Sequence, residues 1–127
     1  MKRVCLDTNI FMGVFLEETD KLEPSLRILN LISDGDLEGV VSSISLIEVA
    51  TLFYQRGEKS KGMKAVALIR GLPNTTIVDV TADMAITIAD TKVSEKLSIA
   101  DATVLASALE LSSDVFLTYE PLANVLK

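Results

Sequence analysis

The 127-residue sequence contains no histidine and only one cysteine, Cys5. The lack of histidine excludes a Ser-His-Asp triad, a Cys-His nucleophile and a histidine-ligated zinc site. A single cysteine also excludes an internal disulfide and a zinc site made of several thiolates. Because Cys5 lies in an apolar run, we expect a buried thiol in the reducing cytoplasm. The catalytic groups that remain most available for a hydrolytic reaction are carboxylates and a hard cation.

Long apolar runs are also missing from the sequence. The first run ends at Asp7, which is too short for the core of a signal peptide, and no uncharged stretch approaches the roughly 18 residues of a membrane span. We therefore expect no membrane association. With 49% apolar and 24% charged residues, the length predicts a single folded domain over residues 1–127. The net charge of −6 argues against an extensive nucleic-acid surface, but a local basic patch remains compatible with it.

The order of apolar segments predicts an α/β fold. We expect strands over residues 4–7, 40–43, 76–80 and 115–118, with a further short edge strand over 123–127. Helices are expected between the strands, over residues 11–16, 25–33, 45–55, 60–70, 82–97 and 99–111. This alternation predicts a three-layer α/β/α sandwich around a central, mostly parallel sheet of four to five strands. No glycine-rich phosphate loop is present in the sequence.

Three acids stand alone among apolar residues: Asp7 in VCLDTNIF, Glu48 in SISLIEVATLFY and Asp101 in LSIADATVLASAL. Burying an unpaired charge costs several kcal/mol, so each acid needs a partner or a function. Helix capping is one explanation, because Ser45-x-x-Glu48 and Ser98-x-x-Asp101 fit the capping box and Asp7 can cap the helix behind it. Taken singly, each acid remains open to either interpretation.

The expected topology brings these acids together. Asp7 ends the first strand, Glu48 lies in the helix after the second, Asp101 lies in the helix before the last strand, and that strand delivers Thr118 and Glu120. All reach the carboxyl edge of the sheet, where open α/β sheets bind ligands. Four adjacent carboxylates repel one another unless a cation neutralises them, and Mg²⁺ or Mn²⁺ suits oxygen ligands best. Such a site supports metal-dependent phosphoryl transfer, without naming the substrate.

Four segments in this order, LDTNIF, SSISLIEV, SIADATVLASAL and FLTYE, resemble the PIN-domain nucleases, and most closely the VapC-type toxins of prokaryotic toxin–antitoxin pairs. The resemblance implies a Mg²⁺- or Mn²⁺-dependent ribonuclease that forms a homodimer and is inhibited by a small antitoxin whose tail occupies the active-site groove. It implies that Asn9 orients Asp7 and that Thr118 lies beside the metal. The catalytic, metal-binding acids that it implies are Asp7, Glu48, Asp101 and Glu120.

The last of these acids departs from the family pattern. The family commonly has T-x-D, whereas this chain has Thr118-Tyr119-Glu120 followed by Pro121. Glutamate can still bind a metal, but its extra methylene moves the carboxylate by about 1.5 Å. The alternative is that Glu120 is a solvated loop acid before a turn proline.

The segment RGEKSKGMKAVALIR, residues 56–70, holds five basic residues and one acid. We expect either an RNA-backbone contact surface or a solvated helix face here. The candidate RNA-contact residues are Arg56, Lys59, Lys61 and Lys64. Two further acids, Asp79 and Asp90, are expected on the surface. Four apolar residues form either an interface or part of the core: Phe11, Phe15, Leu46 and Phe53.

The leading hypothesis is a metal-dependent endoribonuclease, and the alternative is a PIN-like RNA- or protein-binding module without catalysis. A phosphorylatable receiver-like domain is disfavoured. That chemistry needs a second acid after the first strand, where this chain has Leu6, and a lysine where it has Thr118.

Overall fold

The structure of the chain is a computed structural model that describes residues 1–120. The edge strand expected over residues 123–127 lies outside the described residues. Within residues 1–120, no helix is long and apolar enough to cross a membrane.

The described chain alternates strands and helices, as the sequence predicts. The strands are β1 (Lys2–Leu6), β2 (Leu37–Ser42), β3 (Thr75–Val78) and β4 (Val115–Leu117). The helices are α1 (Thr8–Phe15), α2 (Leu22–Ser33), α3 (Ser43–Gln55), α4 (Lys59–Arg70), α5 (Ala85–Ser94) and α6 (Ile99–Glu110). A short 3₁₀ turn, Ala82–Met84, precedes α5.

The single helix expected over residues 82–97 is wrong in its extent. The 3₁₀ turn replaces its beginning, and α5 ends at Ser94. Lys96 has a φ of 54°, in the left-handed region that a right-handed helix does not contain. The chain therefore leaves α5 before residue 97.

The four strands form one parallel sheet in the order β3-β2-β1-β4. Helices α1 and α2 connect β1 to β2, α3 and α4 connect β2 to β3, and α5 and α6 return the chain to β4 on the other side of β1. The strand order therefore reverses between β1 and β4. Ligands of open α/β sheets bind at such a switch point, outside the carboxyl ends of the strands.

The alternation of side chains along β1 divides the core into two clusters. Val4 and Leu6 belong to the cluster under α1–α4, whereas Cys5 belongs to the cluster under α5 and α6. Adjacent residues of β2 divide in the same way, with Val41 on the first face and Val40 on the second. Because helices cover both faces, the protein is the three-layer sandwich that the sequence predicts.

Gly39 in β2 lies where a larger residue does not fit. A Cβ atom there would lie 2.9 Å from Thr75 Oγ1 and 3.2 Å from Ile32 Cδ1. We expect Gly39→Ala to lower the free energy of unfolding by about 1–2 kcal/mol through overpacking. Gly71→Ala is the matched control, because its Cβ meets nothing closer than 3.4 Å and its φ is −92°. Denaturant unfolding would measure both, and an unchanged midpoint for Gly39→Ala would contradict the packing of β2 against α2.

Cys5 is fully buried, in agreement with the sequence analysis. Burial, assisted by the charge of Asp7, raises the pKa of the Cys5 thiol to about 12. Since the thiolate is the reactive form, we expect a disulfide reagent to label the native protein only as fast as it unfolds. Labelling with and without denaturant would measure this. Rapid labelling of the native protein would contradict the burial of β1.

A candidate active site at the switch point of the sheet

Asp7 directly follows β1 and joins it to β4 and α1. Its backbone N–H donates to the Leu117 carbonyl at 2.9 Å, which continues the pairing of β1 with β4. Its Oδ1 accepts from the Thr8 N–H at 2.8 Å, so Asp7 is the N-cap of α1. The residue is only 5% exposed. Asp7 therefore does cap a helix, but capping uses only one of its two oxygens.

The second oxygen of Asp7 meets residues of the β4 end. Oδ2 accepts the Thr118 hydroxyl at 2.7 Å and the Asn9 side-chain N–H at 3.2 Å. The Asn9 amide also donates to Thr118 Oγ1 at 3.0 Å, and its Oδ1 accepts from the Tyr119 N–H at 3.2 Å. Asn9 and Thr118 thus hold Asp7 in one orientation, an arrangement compatible with the contacts expected for both residues.

Glu48 lies in the second turn of α3. The helix begins at Ser43 with Ser42 as its N-cap, whose Oγ accepts from the Ile44 N–H at 3.3 Å. The capping box of Ser45 and Glu48, one of the two interpretations left open by the sequence, is therefore absent, because β2 ends and α3 begins earlier than the sequence suggests.

Glu48 is held instead by α1. Its Oε1 accepts the Thr8 hydroxyl at 2.6 Å. The Thr8 hydroxyl oxygen also lies 2.9 Å from Oγ of the fully buried Ser45. Sequence reasoning missed this role of Thr8 and Ser45. The only available signal was that Thr8 follows Asp7 and that Ser45 precedes Glu48 by one helical turn.

Asp101 and Glu120 reach the same region from α6 and from the loop after β4. Ser98 caps α6 by accepting the Asp101 N–H at 3.1 Å, so this half of the expected capping box is present. The Glu120 N–H donates to Thr118 Oγ1 at 3.0 Å, while the Glu120 residue itself is exposed.

The structure brings all four acids to one open pocket of about 380 Å³. In the described conformation of residues 1–120, however, no three of the acidic side chains stand close enough together to ligate one ion. The acids therefore share a pocket without forming a closed ligand cluster. The other residues that line it are Thr8, Asn9, Met12, Ile47, Thr51, Leu52 and Gln55.

Two of the acids have raised pKa values. Burial raises the pKa of Asp7, and the charge of Asp101 adds to it, while the bonds from Thr118 and the Thr8 N–H act in the opposite direction. Burial raises the pKa of Glu48 as well, with the Thr8 hydroxyl opposing and the charges of Asp7, Asp101 and Glu120 adding.

These shifts make the ionised pocket a cost to folding at neutral pH. A pKa raised by folding means that the native state binds protons more tightly than the unfolded chain. The resulting stabilisation is complete below the unfolded pKa, near 4 for Asp7, and is lost as the pH rises through the folded pKa. A bound cation would relieve the same electrostatic cost.

Three of the four candidate RNA-contact residues line a different groove. Arg56, Lys61 and Lys64 surround a groove of about 530 Å³ beside α1, α3 and α4, and Glu58 forms ion pairs with Lys61 at 2.7 Å and Arg56 at 3.9 Å. Lys59 lies over the Tyr54 ring at 5.6 Å. These residues are exposed, and their contact with RNA stays a prediction.

The aromatic residues near this groove belong largely to the core. Phe11 and Phe53 are buried, and Phe15 packs edge-on against Phe53 with ring centroids 6.3 Å apart. Leu46 is partly buried against the same cluster. Asp79 and Asp90 are exposed, as expected.

Fold and site together define a three-layer α/β/α protein with an acidic pocket at its switch point. The chain belongs to the PIN-domain family, whose model matches residues 4–121. No curated protein sequence matches the chain significantly.

Solved structures of similar fold come from prokaryotic toxin–antitoxin systems. VapC20 of Mycobacterium tuberculosis, described as a sarcin–ricin loop cleaving toxin, has a TM-score of 0.77 and 18% identity over 96% of this chain and 93% of its own. VapBC2 of Rickettsia felis, bound to a promoter DNA fragment, has a TM-score of 0.72 and 15% identity, and the match covers 93% of this chain and 88% of its own. A toxin–antitoxin complex from Klebsiella pneumoniae has a TM-score of 0.66 and 18% identity, and the match covers 94% of this chain and 88% of its own. At these identities the likeness shows the fold.

The hydrogen bond between Thr8 and Glu48 gives a testable prediction. Thr8→Val keeps the shape of the side chain and removes the donor, so we expect the pKa of Glu48 to rise further, because the hydroxyl stabilises the carboxylate. A carboxyl NMR titration would measure it. Thr51→Val is the matched control, since the Thr51 hydroxyl donates to its own helix at the Ile47 carbonyl. An unchanged or lower pKa of Glu48 in Thr8→Val would contradict the contact.

Proposed function

We propose that this chain is a Mg²⁺- or Mn²⁺-dependent endoribonuclease and the toxin of a toxin–antitoxin pair. The observation that carries the proposal is the convergence of Asp7, Glu48, Asp101 and Glu120, from separate parts of the chain, on one pocket. The raised pKa values of Asp7 and Glu48 support it, because burying these carboxylates, with further acids nearby, costs folding free energy and is typical of functional sites. Membership in the PIN-domain family supports a nuclease reaction.

The donors in the pocket fit a hard cation. Carboxylates of Asp7, Glu48, Asp101 and Glu120 would hold Mg²⁺ or Mn²⁺ together with the several waters that these ions retain, so the ion does not require all four side chains in direct contact. When bound, the ion would lower the pKa of a water molecule and stabilise the charge that develops on the phosphate oxygens. Histidine, the alternative ligand for Mn²⁺, is absent from the chain.

The residues around the acids orient them and favour their charged form. Thr118, Asn9 and the Thr8 N–H hold both oxygens of Asp7, and the Thr8 hydroxyl holds Glu48. Their hydrogen bonds favour the charged carboxylates and so oppose the effect of burial on the pKa values. These hydrogen bonds therefore favour negative charge at the place where a cation would bind.

We propose RNA as the substrate on two grounds. The neighbour of similar fold from Mycobacterium tuberculosis is described as cleaving the sarcin–ricin loop. The acidic pocket also adjoins the basic groove along α3, because Gln55 lines the first and its neighbour Arg56 lines the second. We propose that the phosphates of a strand bound at the acids contact Arg56, Lys61 and Lys64. We place Lys59, next to this groove, in the same surface.

The proposed partners follow from the same relationship. VapBC2 and the Klebsiella pneumoniae complex are toxin–antitoxin assemblies, which supports a small antitoxin as the inhibitor of this chain. We propose that the chain acts as a homodimer in the cytoplasm, where its RNA substrate would be found.

A catalytically inactive PIN-like binding module is the second candidate. Two observations favour it: the separation of the acids in the described residues, and the exposed Glu120 where the family commonly has aspartate. Metal binding and metal-dependent cleavage separate the two candidates.

The substitution Asp7→Asn tests the proposed function. We expect cleavage of a mixed structured RNA in Mn²⁺ to fall by more than about 100-fold, because loss of even an outer partner of a metal ligand costs 10–100-fold. Mn²⁺ affinity, measured by calorimetry, should fall as well, while circular dichroism shows a retained fold. Asp90→Asn, an exposed acid of α5, is the control and should behave as wild type.

Either of two results would decide against this proposal. An Asp7→Asn protein that still cleaves would remove Asp7 from the reaction. A wild-type protein that neither binds Mn²⁺ nor cleaves RNA would support the binding module.

A further inference from the structure

We propose that Tyr119 is a positioning residue, which holds the loop after β4 so that Glu120 faces the metal pocket. The inference rests on the proposed function, since it concerns the affinity of that pocket for its cation. It assigns a role to a residue that has no place among the acids themselves.

The hydroxyl of Tyr119 is anchored on the α1–α2 side of the molecule. Tyr119 Oη lies 2.8 Å from Ser25 Oγ, and it donates to the Lys21 carbonyl at 3.1 Å. The Lys21 ammonium lies 5.3 Å from the centre of the tyrosine ring, within the range of a cation–π contact. Ser25 is fully buried in α2, so its hydroxyl has little freedom to seek another partner.

The position of Ser25 is itself fixed by close packing. A Cβ atom on Gly13 would lie 2.9 Å from Ser25 Oγ and 3.0 Å from Lys21 Cβ. Only a glycine allows α1 to approach the start of α2 this closely. The anchor for Tyr119 is therefore a tightly packed part of the structure.

The loop is held at two consecutive residues before Glu120. The Thr118 hydroxyl binds Asp7, and the Tyr119 N–H binds Asn9, so this part of the loop follows the end of the sheet. The Tyr119 hydroxyl then fixes the loop to α2, about one side-chain length away. Together these contacts determine where the backbone of Glu120 lies.

Glu120 needs this support more than the other acids do. Asp7 is buried and Glu48 is held by Thr8, whereas Glu120 is exposed and its N–H bonds only within the loop, to Thr118. A glutamate has one more rotatable bond than an aspartate and loses more conformational entropy when it is held. Fixing the backbone of the loop leaves this side-chain loss in place, but it removes the additional cost of ordering the loop when a cation binds.

A purely structural role for Tyr119 makes a different prediction. In that case Tyr119→Phe would lower the melting temperature and leave metal affinity unchanged. A positioning role lowers metal affinity, and it does so only when Glu120 can ligate. A double-mutant cycle with Glu120→Gln separates the two roles.

We expect Tyr119→Phe to weaken Mn²⁺ binding by about 10-fold, as loss of an outer partner does. The variant keeps the ring under Lys21 and removes only the hydroxyl. In the Glu120→Gln background, the same substitution should change the affinity by less than about 2-fold. Calorimetric titration of the full chain with Mn²⁺ alone would measure all four proteins.

Tyr54→Phe is the matched control. Tyr54 is the other tyrosine of the chain and also has a lysine, Lys59, over its ring. It lies outside the acidic pocket, so its Mn²⁺ affinity should equal that of wild type. If Tyr119→Phe fails to fold, Ser25→Ala removes the same hydrogen bond from the other side and should weaken Mn²⁺ binding in the same direction.

Two results would overturn the inference while the proposed function stands. One is wild-type affinity in Tyr119→Phe, and the other is an equal loss of affinity with and without the Glu120 carboxylate. A wild-type chain that does not bind Mn²⁺ would instead refute the proposed function, and the inference would fall with it.

Discussion

The hydrogen bond between the Thr118 hydroxyl and Asp7 is the contact on which the rest of the site depends. It joins the ends of β1 and β4 at the point where the strand order of the sheet reverses. Three donors satisfy the buried carboxylate, and without them the charge would be costly enough to oppose folding. The same hydrogen bonds thus join the two strands and hold the first acid of the site. They also explain why an acid can end a buried strand.

From this junction, hydrogen bonds extend to both helix pairs on one face of the sheet, α1 with α2 and α3 with α4. Thr8 connects α1 to Glu48 of α3, and the loop after β4 reaches α2 through the pair of Tyr119 and Ser25. These contacts join residues far apart in sequence, so they form only when the sheet has its complete order. The acidic pocket is therefore a product of the whole topology, and no single motif can assemble it.

The sequence predicted the fold well because its main signals are local. Alternation of apolar segments along the chain revealed the strands, and lone acids such as Asp7 and Asp101 revealed the edge where they meet. Prediction was wrong where the signal was ambiguous or distant. Ser42, Ser43 and Ser45 lie close together, and which one caps α3 depends on where β2 ends. The contact between Ser25 and Tyr119 spans 94 residues and has no local pattern at all.

The four acids differ in how firmly the fold holds them, and this difference has a physical consequence. Asp7 is buried and bonded on both oxygens, Glu48 is half-buried with one partner, and Glu120 is exposed on a loop held by its neighbours. Burial preorganises Asp7 but raises its pKa, so a pocket of four such acids would carry a larger folding cost at neutral pH. Exposure spares Glu120 that cost and leaves it free to move. A pocket that combines the rigid, buried Asp7 with the exposed Glu120 therefore limits the electrostatic penalty of folding. It still keeps one carboxylate in a fixed position for a cation. The geometry of the site then depends on the backbone position of Glu120, which the contacts of Thr118 and Tyr119 hold.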